Sequence, residues 1–360
     1  MSVSIPVLTE GFKPPVEIAY TAPSRPLSVA TAELTGPDAQ KLAFVFPGQG
    51  SQYVGMGKAL YEASTAARRV FQQADEILGF KLSTLCFEGP ADELEDTINA
   101  QPAILTVSLA CLAAIHERLD ALGQKWQPPR FVAGHSLGEY TALVAAGALD
   151  FSDALRLVRE RGRLMKEQGD HRPGGMAAVI GLDRRSLEVA CEHASSETGG
   201  IVSVANANSP EQFVISGERA ALDRAIELIR EAGARTVVPL RISIASHSPL
   251  MQQAASRLAE FIDRSPLRDP QVPVVTNIAG QVRTSAEHIR TELTSQMVAP
   301  VEWVGSVREM VANGVDTFVE IGPGQVLSRL IRRISSDVKA ISLNDAVVAL
   351  LGPREESPGK

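Results

Sequence analysis

Gly134-His135-Ser136-Leu137-Gly138 lies where the apolar run of residues 131–133 gives way to the helical stretch "LGEYTALVAAGAL". A serine with glycines two residues before and after it, on a turn from strand to helix, has the form of a nucleophile elbow. The turn is so tight that only glycines fit the flanking positions, and the hydroxyl stands exposed at a helix N-terminus. The helix amides there favour developing negative charge. The same letters also describe an ordinary turn with a capping serine; the strand-turn-helix context favours the nucleophile.

A serine hydroxyl at neutral pH needs a base within hydrogen-bond reach. Most of the six histidines sit in polar sequence. His247 is different: in "RISIASHSPLM" it ends an apolar strand just before a helix, and the ends of core strands converge on sites in α/β proteins. Its plainer reading is a helix-start histidine held by Ser246 and Ser248. His135 is nearer in sequence, but adjacent residues on a tight turn point apart, so His247 is the preferred base.

Arg161 is the third candidate. At about 100° per residue, residues 151–167 separate into a charged half and an apolar half that includes Leu155, Val158, Gly162 and Met165, with Arg161 near the middle of the apolar half. An inward guanidinium must be paired, because an unpaired buried charge is costly. Its partner is either an internal carboxylate or one that arrives with a substrate and is gripped bidentately. A fourth stretch, "FVFPGQGSQ" at residues 44–52, is a glycine-rich turn with no charge. It is not a phosphate loop: Gln52 stands five positions before Gly57 and Ala59 replaces the hydroxyl after Lys58, while Tyr53 occupies the third glycine of a dinucleotide fingerprint.

These residues need a scaffold, and 360 residues with 44% hydrophobic content suffice for a sizeable core. The net charge of -7 argues against a nucleic-acid partner. Cys86, Cys111 and Cys191, odd in number and set in apolar sequence, read as buried reduced thiols. Residues 1–40 have no basic start followed by an apolar core and carry Glu10, Glu17, Glu33 and Asp38, against a secretion or transit signal. The longest apolar stretch, residues 103–115, contains Thr106 and Ser108 and is too short to span a bilayer. The expectation is a cytoplasmic protein.

Short apolar runs alternate with helical patterns from Leu42 onward, the rhythm of an α/β unit around a mainly parallel sheet. Between 173 and 240 the order becomes β-α-β-β-α-β, the split ferredoxin-like pattern. The expected organisation is a leader or linker at 1–40, a core formed by 41–172 and 241–350, and an insert at 173–240. Residues 352–360 read as a frayed polar tail.

From about residue 42 to 345, "FVFPGQGSQYVGMG", "QPAILTVSLA", "GHSLGEYTAL", "RGRLM", "GGMAAVIGL", "VANANSP", "SHSPLM", "PVEW" and "EIGPGQVL" occur in one order. Together they resemble the malonyl-CoA:acyl carrier protein transacylases and the acyltransferase domains of fatty acid and polyketide synthases. The resemblance implies an α/β-hydrolase-like core with a ferredoxin-like insert. It implies that Ser136 is the acylated nucleophile, His247 its general base, and Gln296 the residue whose main-chain carbonyl orients the imidazole. It gives the "PGQG" turn a client: the backbone N–H groups of Gln49 and Leu137 form an oxyanion hole.

By the same resemblance Arg161 salt-bridges the distal carboxylate of malonate, and Asn206, Asn208 and Ser246 line the cleft, although asparagines in a turn are equally explained by backbone geometry. No cofactor is permanently bound; a coenzyme A thioester is the substrate. The partner is an acyl carrier protein, with Arg329, Arg332 and Arg333 as candidates for a basic rim, and neither nucleic acid nor membrane is involved. The segment Ile244-Ala245-Ser246-His247 fits neither the malonyl nor the methylmalonyl pattern of synthase domains fully, while Leu137 is the malonyl-type residue. Malonyl transfer is therefore favoured, with methylmalonyl transfer, an editing acyl hydrolase of the same fold and a non-catalytic docking domain as alternatives.

Overall fold

A computed structural model describes residues 41–124, 127–240 and 242–345; the expected leader at 1–40 and tail at 352–360 lie outside them. In chain order the strands are β1 (Leu42–Phe46), β2 (Phe131–Gly134), β3 (Gly174–Ile180), β4 (Val202–Ser209), β5 (Gln212–Glu218), β6 (Thr236–Pro239), β7 (Val274–Val275), β8 (Val282–Arg283), β9 (Thr317–Ile321) and β10 (Lys339–Leu343). The helices up to the insert are α1 (Lys58–Ala63), α2 (Thr65–Leu78), α3 (Leu82–Glu88), α4 (Ala91–Glu95), α5 (Thr97–Ala121), α6 (Gly138–Ala145) and α7 (Phe151–His171). Then come α8 (Arg184–Thr198), α9 (Arg219–Glu231), α10 (Gln252–Arg264), α11 (Ala286–Gln296), α12 (Trp303–Ala312) and α13 (Leu327–Ile334).

The larger sheet runs β10-β9-β1-β2-β7-β8, parallel throughout except for the β7–β8 pair. Its central strands are buried along their whole length, as strands covered on both faces must be, which is why "LAFVF" shows no alternation. The smaller sheet is antiparallel, in the order β4-β5-β3-β6. It shares with α8 and α9 an apolar cluster of its own, including Leu187, Ile215, Leu222 and Ile229. This is the expected α/β class with a parallel-rich core and a ferredoxin-like unit. We propose that 173–240 is an insert in a core of 41–172 and 241–350; the separate apolar cluster supports that partition. Where the two meet, β4 shifts register around Asn206 and Ala207, and Ala207 and Ala205 exchange hydrogen bonds of 2.9 Å with Val301.

Residues 55–78 do hold helices as expected, divided at Ser64, whose side chain accepts from Ala67 N–H and caps α2. Other elements differ from expectation. The strand β10 follows α13 where no strand was expected. Helix α5 is 25 residues long and contains Pro102. Long and apolar enough to cross a membrane, contrary to the sequence expectation, it has 78% of its most apolar window buried inside the protein. Pro102 has no N–H for the carbonyl of Ile98, and Arg159 of α7 takes that carbonyl at 2.8 Å instead. The three cysteines are buried and free.

Arg161 reaches the centre because α5 and α7 cross closely at Gly162. A Cβ there would lie 2.6 Å from the carbonyl oxygen of Thr97 and 2.9 Å from Cα of Ile98. Both are backbone atoms that cannot swing aside. Gly162→Ala should therefore lower the urea midpoint, since overpacking at about 1–3 kcal/mol exceeds the roughly 1 kcal/mol that alanine gains in a helix. An unchanged or raised midpoint would show that the crossing is not tight.

Candidate active site

The elbow joins β2 to α6 at the carboxyl end of the larger sheet. A Cβ on Gly134 would collide with the backbone of Gly138, and one on Gly138 with the carbonyl of Phe46, so both glycines are sterically required. Ser136 has φ of 51°, a left-handed conformation that costs a non-glycine residue energy and persists only where neighbours over-determine it. Asn277, in the loop after β7, is that neighbour. Its Oδ1 accepts from Ser136 N–H at 2.6 Å, and its Nδ2 donates to the Gly134 carbonyl at 2.7 Å. Its own N–H donates to Glu139 Oε2 at 3.1 Å, closing a ring back onto the elbow helix. Neither Asn277 nor Glu139 was a sequence candidate; the available signal was a polar residue directly after a core strand.

His247 Nε2 lies 2.8 Å from Ser136 Oγ. Its Nδ1 faces the carbonyl oxygens of Gln296 at 3.0 Å and Ala299 at 3.1 Å. Carbonyls only accept, so Nδ1 carries the proton and Nε2 presents its lone pair to the serine hydroxyl. His247 also has positive φ, 56°. Burial, then the positive charge of Arg161, pull its pKa down from 6.5 to about 3, against the opposing pull of the Gln296 carbonyl. His135, the alternative base, instead pairs through Nε2 with Asn208 Oδ1 at 2.8 Å.

Arg161 is 1% exposed, and no carboxylate among the described residues lies within ion-pairing distance of it. Its guanidinium donates only to neutral oxygens: Gln101 Oε1 at 2.7 Å, Ser136 Oγ at 3.1 Å and Gln296 Oε1 at 3.2 Å. Burial lowers its pKa from the ordinary arginine value. The carboxyl of Glu139 is separated from it by the Gln296 amide, whose Nε2 donates to Glu139 Oε2 at 3.0 Å. Burial first, then repulsion from Glu292, push Glu139 up to about 8, against the hydrogen bonds from Gln296 and Asn277 and the Arg161 charge. Burial thus disfavours the charged form of Glu139, and the Gln296 amide stands between its carboxyl and the guanidinium.

Ser136, His247, Arg161, Gln49, Ser246 and Asn206 line one cavity between the two sheets. Met176, Val214 and Ile242 form part of an apolar wall in it. Gly48 lies so close to the carbonyl of His135 that a Cβ would overlap it, which sets the Gln49 turn directly on the elbow. The backbone N–H groups of Gln49 and Leu137 have no hydrogen-bond partner among the described residues, whereas that of Ser136 is taken by Asn277. Gln296 contributes both its carbonyl and its amide. On α13, Arg332 donates to the carbonyl of Ala340 at 2.6 Å and Arg333 to Gln212 Oε1 at 3.3 Å, and none of Arg329, Arg332 and Arg333 lines the cavity itself.

Residues 43–354 match the family model described as acyl transferase domain. The chain is 46% identical over 305 residues to the malonyl CoA-acyl carrier protein transacylase of Bacillus subtilis (strain 168), covering 85% of this chain and 94% of that protein. It is similar to the acyl carrier protein S-malonyltransferase of Vibrio cholerae O1 biovar eltor, with a TM-score of 0.78, 40% identity and coverage of 84% and 96% of the two chains. A structure of a type II PKS acyl-carrier protein in complex with its malonyl-transacylase matches with a TM-score of 0.80, 41% identity and coverage of 86% and 98%.

With its pKa pulled down to about 3, the His247 imidazole stays neutral across the mildly acidic range. The acid limb of kcat/KM, which reports the free enzyme, should fall below pH 5; a limb centred near the ordinary 6.5 would contradict the burial of His247. The stability consequence has a definite sign. The unfolded chain takes up this proton below 6.5 and the folded one only near 3, so the contribution of His247 is present above pH 6.5 and is lost as pH falls through that window.

Proposed function

The chain belongs to the acyl transferase domain family, and from that premise we propose that it moves a malonyl group from coenzyme A to the phosphopantetheine thiol of an acyl carrier protein. One observation carries this reading: a buried guanidinium without an anion, 3.1 Å from a serine hydroxyl that is 2.8 Å from a histidine. A site with that composition is incomplete until a carboxylate enters, and the acyl group that supplies one next to a thioester carbonyl is a short diacid.

His247 Nε2 takes the proton of Ser136 as Oγ attacks the thioester carbonyl. The oxygen of the tetrahedral intermediate takes the N–H groups of Leu137 and Gln49. As the intermediate collapses, the C–S bond breaks and the imidazolium gives its proton to the departing coenzyme A thiolate, leaving a malonyl ester on Ser136. The carrier thiol then enters, His247 takes its proton, and the sulfur attacks the ester. Collapse returns the proton to Ser136 Oγ and the malonyl group leaves on the carrier. The carbonyls of Gln296 and Ala299 fill the role an acidic third member would have, holding Nδ1–H in place.

The thioester is a substrate, and these steps call on no further cofactor. The same cation weighs against a hydrolase that edits neutral acyl chains, because such a chain would leave Arg161 unpaired in a closed site. Burial of α5 within the core and three free cysteines support action in the cytoplasm.

Intact-mass analysis after incubation with malonyl-CoA should show one malonyl adduct, absent in Ser136→Ala. Arg161→Ala should lower malonyl acylation relative to acetyl acylation by roughly 30-fold to several thousandfold, from the ~2–5 kcal/mol lost when one partner of a buried charge pair is removed. An equal loss for both thioesters would mean that Arg161 serves the serine and not a substrate carboxylate.

A further inference from the structure

Two residues outside the acyl-transfer steps, Gln101 and Thr97, join Arg161 to the oxyanion turn. Arg161 Nη1 donates to Gln101 Oε1 at 2.7 Å, Gln101 Nε2 donates to Thr97 Oγ1 at 2.8 Å, and Thr97 Oγ1 donates to Gln49 Oε1 at 2.9 Å. Gln101 is fully buried and Thr97 is 4% exposed. Thr97 and Gln101 stand one turn apart on α5, on the side where the missing Cβ of Gly162 lets α7 approach.

The direction of this chain is not free. A guanidinium only donates, so Gln101 must turn its oxygen to Arg161 and its NH₂ to Thr97. The Thr97 oxygen is then an acceptor on that side, and its proton goes to the oxygen of Gln49. Every dipole points the same way, and hydrogen bonds aligned in series within a low-dielectric interior strengthen one another. The cation thus sets the polarity of a wire that ends on the residue whose backbone N–H faces the reacting carbonyl.

We propose that Gln101 and Thr97 are positioning residues that couple occupation of Arg161 by the substrate carboxylate to the setting of the Gln49 oxyanion turn. The proposal rests on the reading of Arg161 and Gln49 given above. By this coupling a diacid is recognised twice, once in binding at Arg161 and again in the chemical step through Gln49.

The test is a double-mutant cycle on the full chain, with single-turnover acylation by malonyl-CoA as the readout. Thr97→Val keeps the shape and deletes the hydroxyl. It should reduce kcat about tenfold, a fraction of the ~10²–10³ that follows loss of an oxyanion donor, and leave KM within about twofold, since Arg161 is untouched. Thr97→Ser should recover most of the rate. In the Arg161→Ala background, where nothing orients Gln101, Thr97→Val should cost less than about twofold.

Factors that multiply across the cycle, or a Thr97→Val effect confined to KM, would overturn the coupling. Should Thr97→Val fail to fold, Gln101→Met breaks the wire at its other joint and is judged by the same cycle. A wild-type chain that malonyl-CoA does not acylate would instead sink the reading of the site itself. Normal wild-type acylation with multiplying factors removes the relay alone.

Discussion

A positive charge buried without its anion is the constraint around which this molecule is arranged. Arg161 sits at the middle of the apolar face of α7, where it donates to two side-chain amides and a hydroxyl and lies over the Tyr140 ring. Neutral oxygens solvate a guanidinium only partly, and removal of an ion from water costs several kcal/mol in a protein interior. The fold supports that cost through the core packing of α5 against α7. An ion pair within the protein would be the cheaper solution for stability and would block the site. The carboxyl of Glu139 could have supplied one, yet it stands behind the Gln296 amide, and burial disfavours its charged form.

The second constraint is backbone strain. Ser136 and His247 are the non-glycine residues with positive φ among the described residues, and they are the pair whose side chains meet at 2.8 Å. Each strained residue is pinned by groups distant in sequence. Asn277 takes the Ser136 N–H and holds the Gly134 carbonyl, Gln296 Nε2 donates to the Ser136 carbonyl at 3.1 Å, and the carbonyls of Gln296 and Ala299 hold the imidazole. Asn277 takes the Ser136 N–H, and on the proposed reading the oxyanion is then met by Leu137 and Gln49, a role that fits the close approach of the Gln49 turn to the elbow at Gly48.

What the sequence made legible follows from which constraints are local. The elbow was readable because its Gly-x-Ser-x-Gly letters fall within five residues between a strand and a helix, although only Gly134 answers to a local clash and Gly138 is required by the distant carbonyl of Phe46. Arg161 was readable because a 3.6-residue period exposes one charged letter on an apolar face. The split ferredoxin-like order was readable because its strands and helices alternate at regular spacing. Asn277 and Glu139 were not, since their contact joins residues 138 apart, and Glu139 lies in α6, where the first six residues are all buried and no polar face exists to be violated. Thr97 and Gln101 look like the ordinary start of a helix. Their meaning appears only when α7 is laid against them. Strand β10 was missed because "KAISL" has exposed and half-buried positions typical of a sheet edge, and such a pattern carries little hydrophobic signal.

Charge at Arg161 also acts on the base. In the empty site the guanidinium opposes protonation of His247, so the imidazole is a reluctant proton acceptor even though it is well placed. On the proposed reading, a carboxylate bound to Arg161 would cancel most of that repulsion, and an imidazolium formed during acylation would then face a neutral pair and two carbonyl oxygens. A monoacid thioester leaves the cation bare and the base weak. Selectivity built this way acts on the transition state, where the positive charge on His247 develops, and not only on the Michaelis complex, which is the condition for binding energy to appear as rate. On the proposed reading the negative charge that stabilises the imidazolium arrives with the substrate, while the carbonyls of Gln296 and Ala299 hold Nδ1–H.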